Sequence, residues 1–225
     1  MTISSNKIRK LLFILLMLRS GYLFADVTDS LKSKLDEANG KERVSIIINL
    51  MERLERNEPE EAINFGNEAL RLLDINPDKE KEIEVLYHKG WAYYQMNDLD
   101  SASYYAELTG KISEEAGFVK GLVMNSLLTA RIHRTRGLYE KALKSLEAAR
   151  AKNQEAKDSK LEVKILNEFG SVYRRLSRYG EAIERHQQAL DILKEVNDEE
   201  ELTGTYSNRS WCSGRYYGNC GKKFI

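Results

Sequence analysis

Hydrophobic and small residues recur along this chain at a helical period, and the small ones also keep a longer beat. Alanine stands at Ala62, Ala102, Ala142 and Ala182, forty residues apart each time. Seven residues further on, a second small position is filled by Ala69, Thr109, Ala149 and Ala189. Agreement in register across four copies marks an internal repeat rather than a chance motif.

Each alanine is preceded by another apolar stripe. Twelve residues before it stand Leu50, Gly90, Ala130 and Gly170, and nine before it Arg53, Tyr93, His133 and Tyr173. Leu86 and Leu166 lie one turn ahead of the small residue, with Phe169 beside it. Five residues before the alanine come Asn57, Asn97, Gly137 and Ser177. Asn and Gly enter the left-handed conformation at little cost, so the first three predict helix stops. Each unit therefore predicts helix, tight turn, helix. Small residues on the first helix facing Ala on the second let the two backbones approach closely.

The stretches EFGSVYRRLSRYGEAIERHQQAL (Glu168–Leu190), KGWAYYQMNDLDSASYYAEL (Lys89–Leu108) and ARIHRTRGLYEKALKSLEAA (Ala130–Ala149) resemble the tetratricopeptide-repeat family. The copy at Lys41–Leu70 is weaker, with Arg53 and Leu50 in place of the usual aromatic and small residue. The family unit is about 34 residues long and commonly has Pro after its second helix. No repeat here has that Pro, and the longer period resembles the subclass of kinesin light chain, with extended second helices. The resemblance implies an all-α, right-handed α-solenoid. The expected division is a capping segment over 26–40, repeats over 41–80, 81–120, 121–160 and 161–200, the start of a fifth over 201–208, and an irregular tail over 209–225.

The resemblance also implies a binding surface. In the family, the first helices line a concave groove, with side chains at the second, fifth, ninth and twelfth positions facing it. Here these are Val44, Ile47, Met51 and Leu54, then Glu84, Tyr87, Trp91 and Tyr94. The third repeat supplies Met124, Leu127, Arg131 and Arg134, and the fourth Lys164, Asn167, Ser171 and Arg174. The groove is thus expected to run from apolar through aromatic to basic. Tyr and Trp offer large contact area at low entropic cost, which suits a peptide. Arg131, Arg134 and Arg174 could fork onto carboxylates, or form a solvated face. Val44, Ile47, Met51 and Leu54 have a competing use, burying Leu31 and Leu35 of the cap. The peptide-binding set is Tyr87, Trp91, Tyr94, Arg131, Arg134, Lys164, Asn167 and Arg174. The family's carboxylate-clamp pattern of Lys and Asn is not reproduced.

Composition narrows the classes further. Hydrophobic residues make up 42% and charged ones 31%, so the 225-residue chain can bury a core. Lys+Arg and Asp+Glu balance at 35 each, so no global field draws it to nucleic acid or an anionic membrane. His88, His133 and His186 fall in different repeats with no ligand spacing, which predicts no metal site and a packed His133 in the aromatic column. No phosphate loop, HExxH or GxSxG is present, so neither cofactor nor catalysis is expected.

The first 25 residues differ from the rest. Lys7, Arg9 and Lys10 precede an apolar run at Leu11–Leu18, the layout of a secretory signal peptide, and the run is shorter than the roughly 20 residues that span a bilayer. The expectation is export to the periplasm or beyond, with no span after cleavage. The tail RSWCSGRYYGNCGKKFI breaks the period, since position 222 is Lys where Ala is due. It reads either as a cap with Cys212 and Cys220 paired, or as a frameshift, because a one-base shift of suitable codons gives Thr-Ala-Glu-Lys-Ser-Leu. On the frameshift reading the tail is poorly packed and the repeats continue. The function expected is a noncatalytic scaffold binding a protein segment. The alternative is the sensor region of a truncated bacterial histidine kinase or diguanylate cyclase.

Overall fold

The computed structural model describes residues 27–196 and 199–220. The expected signal peptide and the last five residues lie outside them. Ten helices follow one another: α1 over 27–37, α2 Gly40–Leu54, α3 Pro59–Ile75, α4 Lys79–Gln95, α5 Leu99–Ala116, α6 Val119–Thr135, α7 Tyr139–Ala156, α8 Ser159–Arg175, α9 Tyr179–Glu195 and α10 Glu199–Cys220. Strands are absent among the described residues.

The period-40 columns form the spine of the packing. Ala62, Ala102, Ala142 and Ala182 are fully buried, as are Ala69, Thr109, Ala149 and Ala189. Each sits where the second helix of a pair crosses the first, so a larger side chain there would push the helices apart. At Gly170 the neighbour is the imidazole of His186, which a Cβ would approach to 2.5 Å. At Gly90 it is Leu128 of the next repeat, at 2.7 Å. The small column therefore serves contacts within a repeat and between repeats.

Helix boundaries follow local chemistry. Asp78, Asp98 and Asp158 cap α4, α5 and α8 by accepting the N–H of Lys81, Ser101 and Leu161. The turn inside repeats two to four is the same each time. Asn97 N–H donates to Tyr94 O and Asp98 N–H to Tyr93 O, and the bonds recur at Gly137 and Leu138 and at Ser177 and Arg178. This double closure needs a left-handed residue, and Asn97, Gly137 and Ser177 have φ of 60°, 75° and 60°. The expectation named Asn57 instead of Ser177. Asn57 stays out of that region because the shorter first helix closes through Asn57 and Glu58 N–H groups that both reach Leu54 O.

Two further expectations are corrected. The second helices are not markedly extended, since α3, α5, α7 and α9 have 17 or 18 residues against 17 in α4, α6 and α8. The tail is not irregular from residue 209, because α10 continues unbroken to Cys220 and packs on α9. Thr205 and Cys212 are buried seven residues apart, which gives α10 an inward face that the Gly- and aromatic-rich composition concealed.

Cores form in series. α1 supplies Leu35 and Leu31 to a cluster with Val44, Ile47, Met51 and Leu54 of α2. The capping role of those four residues is thus the one realised. A second cluster runs through repeats two to four, from Tyr87 and Trp91 to Phe169 and Val172, and a third joins α8 and α9 through Val163, Leu166, Ala189 and Leu193. The first helices touch one another in sequence, α2 on α4, α4 on α6 and α6 on α8. They form the inner layer of the solenoid.

Candidate functional site: the interior of the solenoid

The inner layer encloses a cavity of about 790 Å³. Every first helix contributes to its wall: Glu52 from α2, Tyr87 and Trp91 from α4, Arg131 from α6, Lys164 from α8 and Gly204 from α10. Apolar residues share the wall, among them Val27 of α1 and Val196 after α9, both partly exposed.

Four of the eight expected binding residues, Tyr87, Trp91, Arg131 and Lys164, lie in this wall. Tyr87 and Trp91 are 3% and 5% exposed, so they form the floor and present little surface. Tyr94 stacks on Trp91 with ring centroids 5.1 Å apart and lies outside the cavity wall. Its hydroxyl bonds to Thr135 Oγ1 at 2.9 Å and accepts from Arg134 Nη2 at 3.1 Å.

Glu168 pairs with two of the arginines expected at the basic end of the groove. Arg134 Nε donates to Glu168 Oε2 at 3.1 Å. Arg131 Nε lies 2.8 Å from Glu168 Oε1 in an ion pair without hydrogen-bond alignment. Both guanidiniums are thus held by a carboxylate that is 7% exposed, Arg131 from the cavity wall and Arg134 from outside it. Sequence reasoning missed Glu168 because it falls between groove positions. The available signal was two arginines three apart on one helix face, which need a counter-charge when buried.

Asn167 and Arg174 are also committed elsewhere. Asn167 Nδ2 donates to Thr205 Oγ1 at 2.9 Å, and its Oδ1 lies 3.0 Å from His186 Nδ1, so the amide ties α8 to α9 and α10. Burial, reinforced by the Arg174 charge and opposed by Glu168, lowers the His186 pKa to about 4. Arg174 covers the Trp211 ring at 4.9 Å from its centroid. His133 is half-buried, with Nδ1 3.4 Å from Ser145 Oγ.

Two carboxylates the sequence did not single out, Glu52 and Glu55, also line the cavity. Glu52 Oε1 on α2 meets Lys164 Nζ on α8 at 3.1 Å, across 112 positions of sequence. Partial burial raises the Glu52 carboxyl, but the Lys164 ammonium, helped by His88, carries it down to about 2. Lys164 is displaced upward: burial lowers it, and Tyr87, Glu52 and Glu55 together outweigh that. Nearby, His88 Nδ1 and Glu55 Oε2 form a buried contact at 2.7 Å. Among the described residues, no cluster of His, Cys, Asp and Glu could hold a metal, and no helix is long and apolar enough to cross a membrane.

Comparison with known proteins finds likenesses to part of the sequence and to the fold. A family model described as tetratricopeptide repeat matches residues 123–195. The 43 kDa receptor-associated protein of the synapse from Tetronarce californica is 24% identical over 142 residues, 62% of this chain and 34% of the relative. The chain thus spans about a third of that protein's length. The crystal structure of BtubC (BKLC) from P. vanneervenii superposes with a TM-score of 0.63 at 18% identity, covering 86% of this chain and 84% of that one. A signal transduction ATPase with numerous domains and a tetratricopeptide repeat sensor, from Pyrococcus horikoshii, gives 0.57 at 18% identity, covering 88% of this chain and 31% of that one. At such identity these two likenesses concern fold alone. Residues 123–195 are tetratricopeptide repeats, and the described chain has the all-helical solenoid fold of tetratricopeptide-type repeat proteins.

Proposed function

We propose that this chain is a noncatalytic scaffold that captures a segment of another protein inside its solenoid. The observation that carries the reading is the cavity of about 790 Å³, walled by every first helix and lined by apolar, aromatic and charged side chains together. Its size falls within the range of ligand sites, about 300–1,000 Å³. Tetratricopeptide repeats supply the general expectation of protein partners. The reading of residues 1–25 as a secretory signal would place this capture outside the cytoplasm.

Gly204 offers a direct test. It lines the cavity, and a Cβ built on it meets nothing within 4 Å. Peptides selected from a random display library on the full chain should lose binding to Gly204→Trp, which plugs the cavity, while circular dichroism stays helical. Selected peptides that bind the plugged and unplugged chains alike would remove the cavity as the capture surface. Arg131→Glu and Arg134→Glu make poor probes, since both arginines pair with Glu168.

A second reading is a sensor module of a larger signalling protein. It is favoured by the fold shared with the tetratricopeptide repeat sensor of the P. horikoshii ATPase. The same cavity would be its input site.

A further inference from the structure

Two arginines meet on one tryptophan at the C-terminal end of the solenoid. Arg174 of α8 lies 4.9 Å from the Trp211 ring centroid and Arg215 of α10 lies 5.1 Å from it, while Tyr179 of α9 meets the indole edge-on at 6.2 Å. Three helices thus build the cluster, and none of its four residues belongs to the cavity wall. Trp211 is 43% exposed and Arg215 is exposed, so the cluster opens to solvent.

Neither cation is neutralised. Arg131 and Arg134 pair with Glu168, Arg136 with Asp100, Arg150 with Glu162 and Arg178 with Glu181. Among the described residues, neither Arg174 nor Arg215 pairs with a carboxylate. α10 brings none to them, since the sequence has no Asp or Glu between Gly204 and Arg215. The Arg174 charge acts instead on buried neighbours: after burial, it is the second cause that lowers the His186 pKa, and it opposes the rise that burial imposes on the Cys212 thiol. Seating α10 does not require both arginines. Thr205 and Cys212 already supply its buried face, and Arg215 stacks on a residue of its own helix, one turn away, so that contact joins no second element. Stacking engages the face of a guanidinium and leaves its in-plane N–H groups for an acceptor. Two like charges held against one ring also repel, a cost that an anion between them removes.

We propose that Arg174, Arg215 and Trp211 form a binding site for a phosphate monoester in its dianionic form. A dianion cancels both charges, and its tetrahedral oxygens accept from two forks that approach from different directions. A carboxylate cancels one charge and occupies one fork. The indole edge and the Tyr179 ring give the group that carries the phosphate an apolar wall. The site stands beside the cavity and does not depend on capture there.

The test is isothermal titration calorimetry on the full chain at neutral pH, with phenyl phosphate as the probe. Phenyl phosphate should bind, and benzoate, the same ring with a single charge, should bind about tenfold more weakly. Arg174→Gln and Arg215→Gln should each weaken phenyl phosphate about tenfold, the scale of one lost charge-assisted hydrogen bond. Arg71→Gln makes the same change of charge at an exposed position on α3 and should leave affinity unchanged. Trp211→Leu should abolish the preference for phenyl phosphate over inorganic phosphate. Should circular dichroism show that Arg174→Gln disturbs the helices, Arg215→Gln, at an exposed position, decides the matter.

A phosphate on a small molecule and one on a protein side chain share this chemistry. A glycine-flanked phosphotyrosine peptide that binds more tightly than phenyl phosphate assigns the site to a phosphorylated protein, and one that binds no more tightly assigns it to a small phosphate ester. No binding of either phosphate probe, benzoate binding as tightly as phenyl phosphate, or Arg215→Gln matching Arg71→Gln would each overturn the proposal.

Discussion

Arg131 lays its guanidinium over the indole of Trp91, 3.7 Å from the ring centroid, with both residues buried. The contact ties α6 to α4 and turns two groove candidates into a wall. Burial of a cation on an aromatic face still requires a counter-charge, and Glu168 provides it for Arg131 and Arg134 together. Glu168→Gln is expected to destabilise the chain by roughly 3 kcal/mol, because it strands two buried cations. Arg131→Met keeps the indole covered and leaves Glu168 with Arg134, so it should cost less. Urea denaturation of the two variants decides the order, and equal losses would show that the carboxylate is not what holds the cluster.

Ser177 has φ of 60° at the stop of α8, where its counterpart in the third repeat is Gly137. Ser177→Gly should raise stability by about 1 kcal/mol by relieving the left-handed strain. Asn57→Gly should give no gain, because Asn57 is not left-handed. Thermal melts of the two variants separate local strain from a general effect of glycine.

Ala142 is fully buried in the contact between α7 and α6. Ala142→Leu overpacks that crossing and should cost on the order of 1–3 kcal/mol. Chemical denaturation should show a lower midpoint with an unchanged slope. A neutral result would mean that the column tolerates expansion.

His186 is fully buried, and its pKa falls to about 4, first through burial and then through Arg174. The unfolded chain takes up this proton near pH 6.5, whereas the folded chain resists until about 4. The unfolded state therefore binds more protons in that window, and stability falls as the pH drops from about 6.5 to 4. The group's share of that loss is roughly 3 kcal/mol. Urea midpoints of wild type and His186→Gln should converge as the pH is lowered through this range. Parallel curves would show that His186 does not carry the dependence.

The sequence by itself determined the repeat, its period and the helix-turn-helix unit, because those depend on relations local to the chain. Alanine every 40 residues predicts a close helix crossing wherever it recurs, and each such alanine is fully buried. Asn97 and Gly137 were legible as helix stops for the same reason: left-handed preference belongs to the residue. Ser177 was not, because its conformation is imposed by the bonds its turn shares with the other repeats. Burial of His88 and Lys89 was equally hidden. α4 is covered by α2, α3, α5 and α6, so an inner helix has no wet face for amphipathic patterning to record. The candidate site was decided by tertiary structure most of all. Position within a repeat placed Arg131 and Lys164 at the interior, but nothing in their spacing announced that Glu168 neutralises one or that Glu52, 112 residues away, reaches the other. Those partners come from different repeats, and only the curvature of the stacked helices brings their charges within a few ångströms.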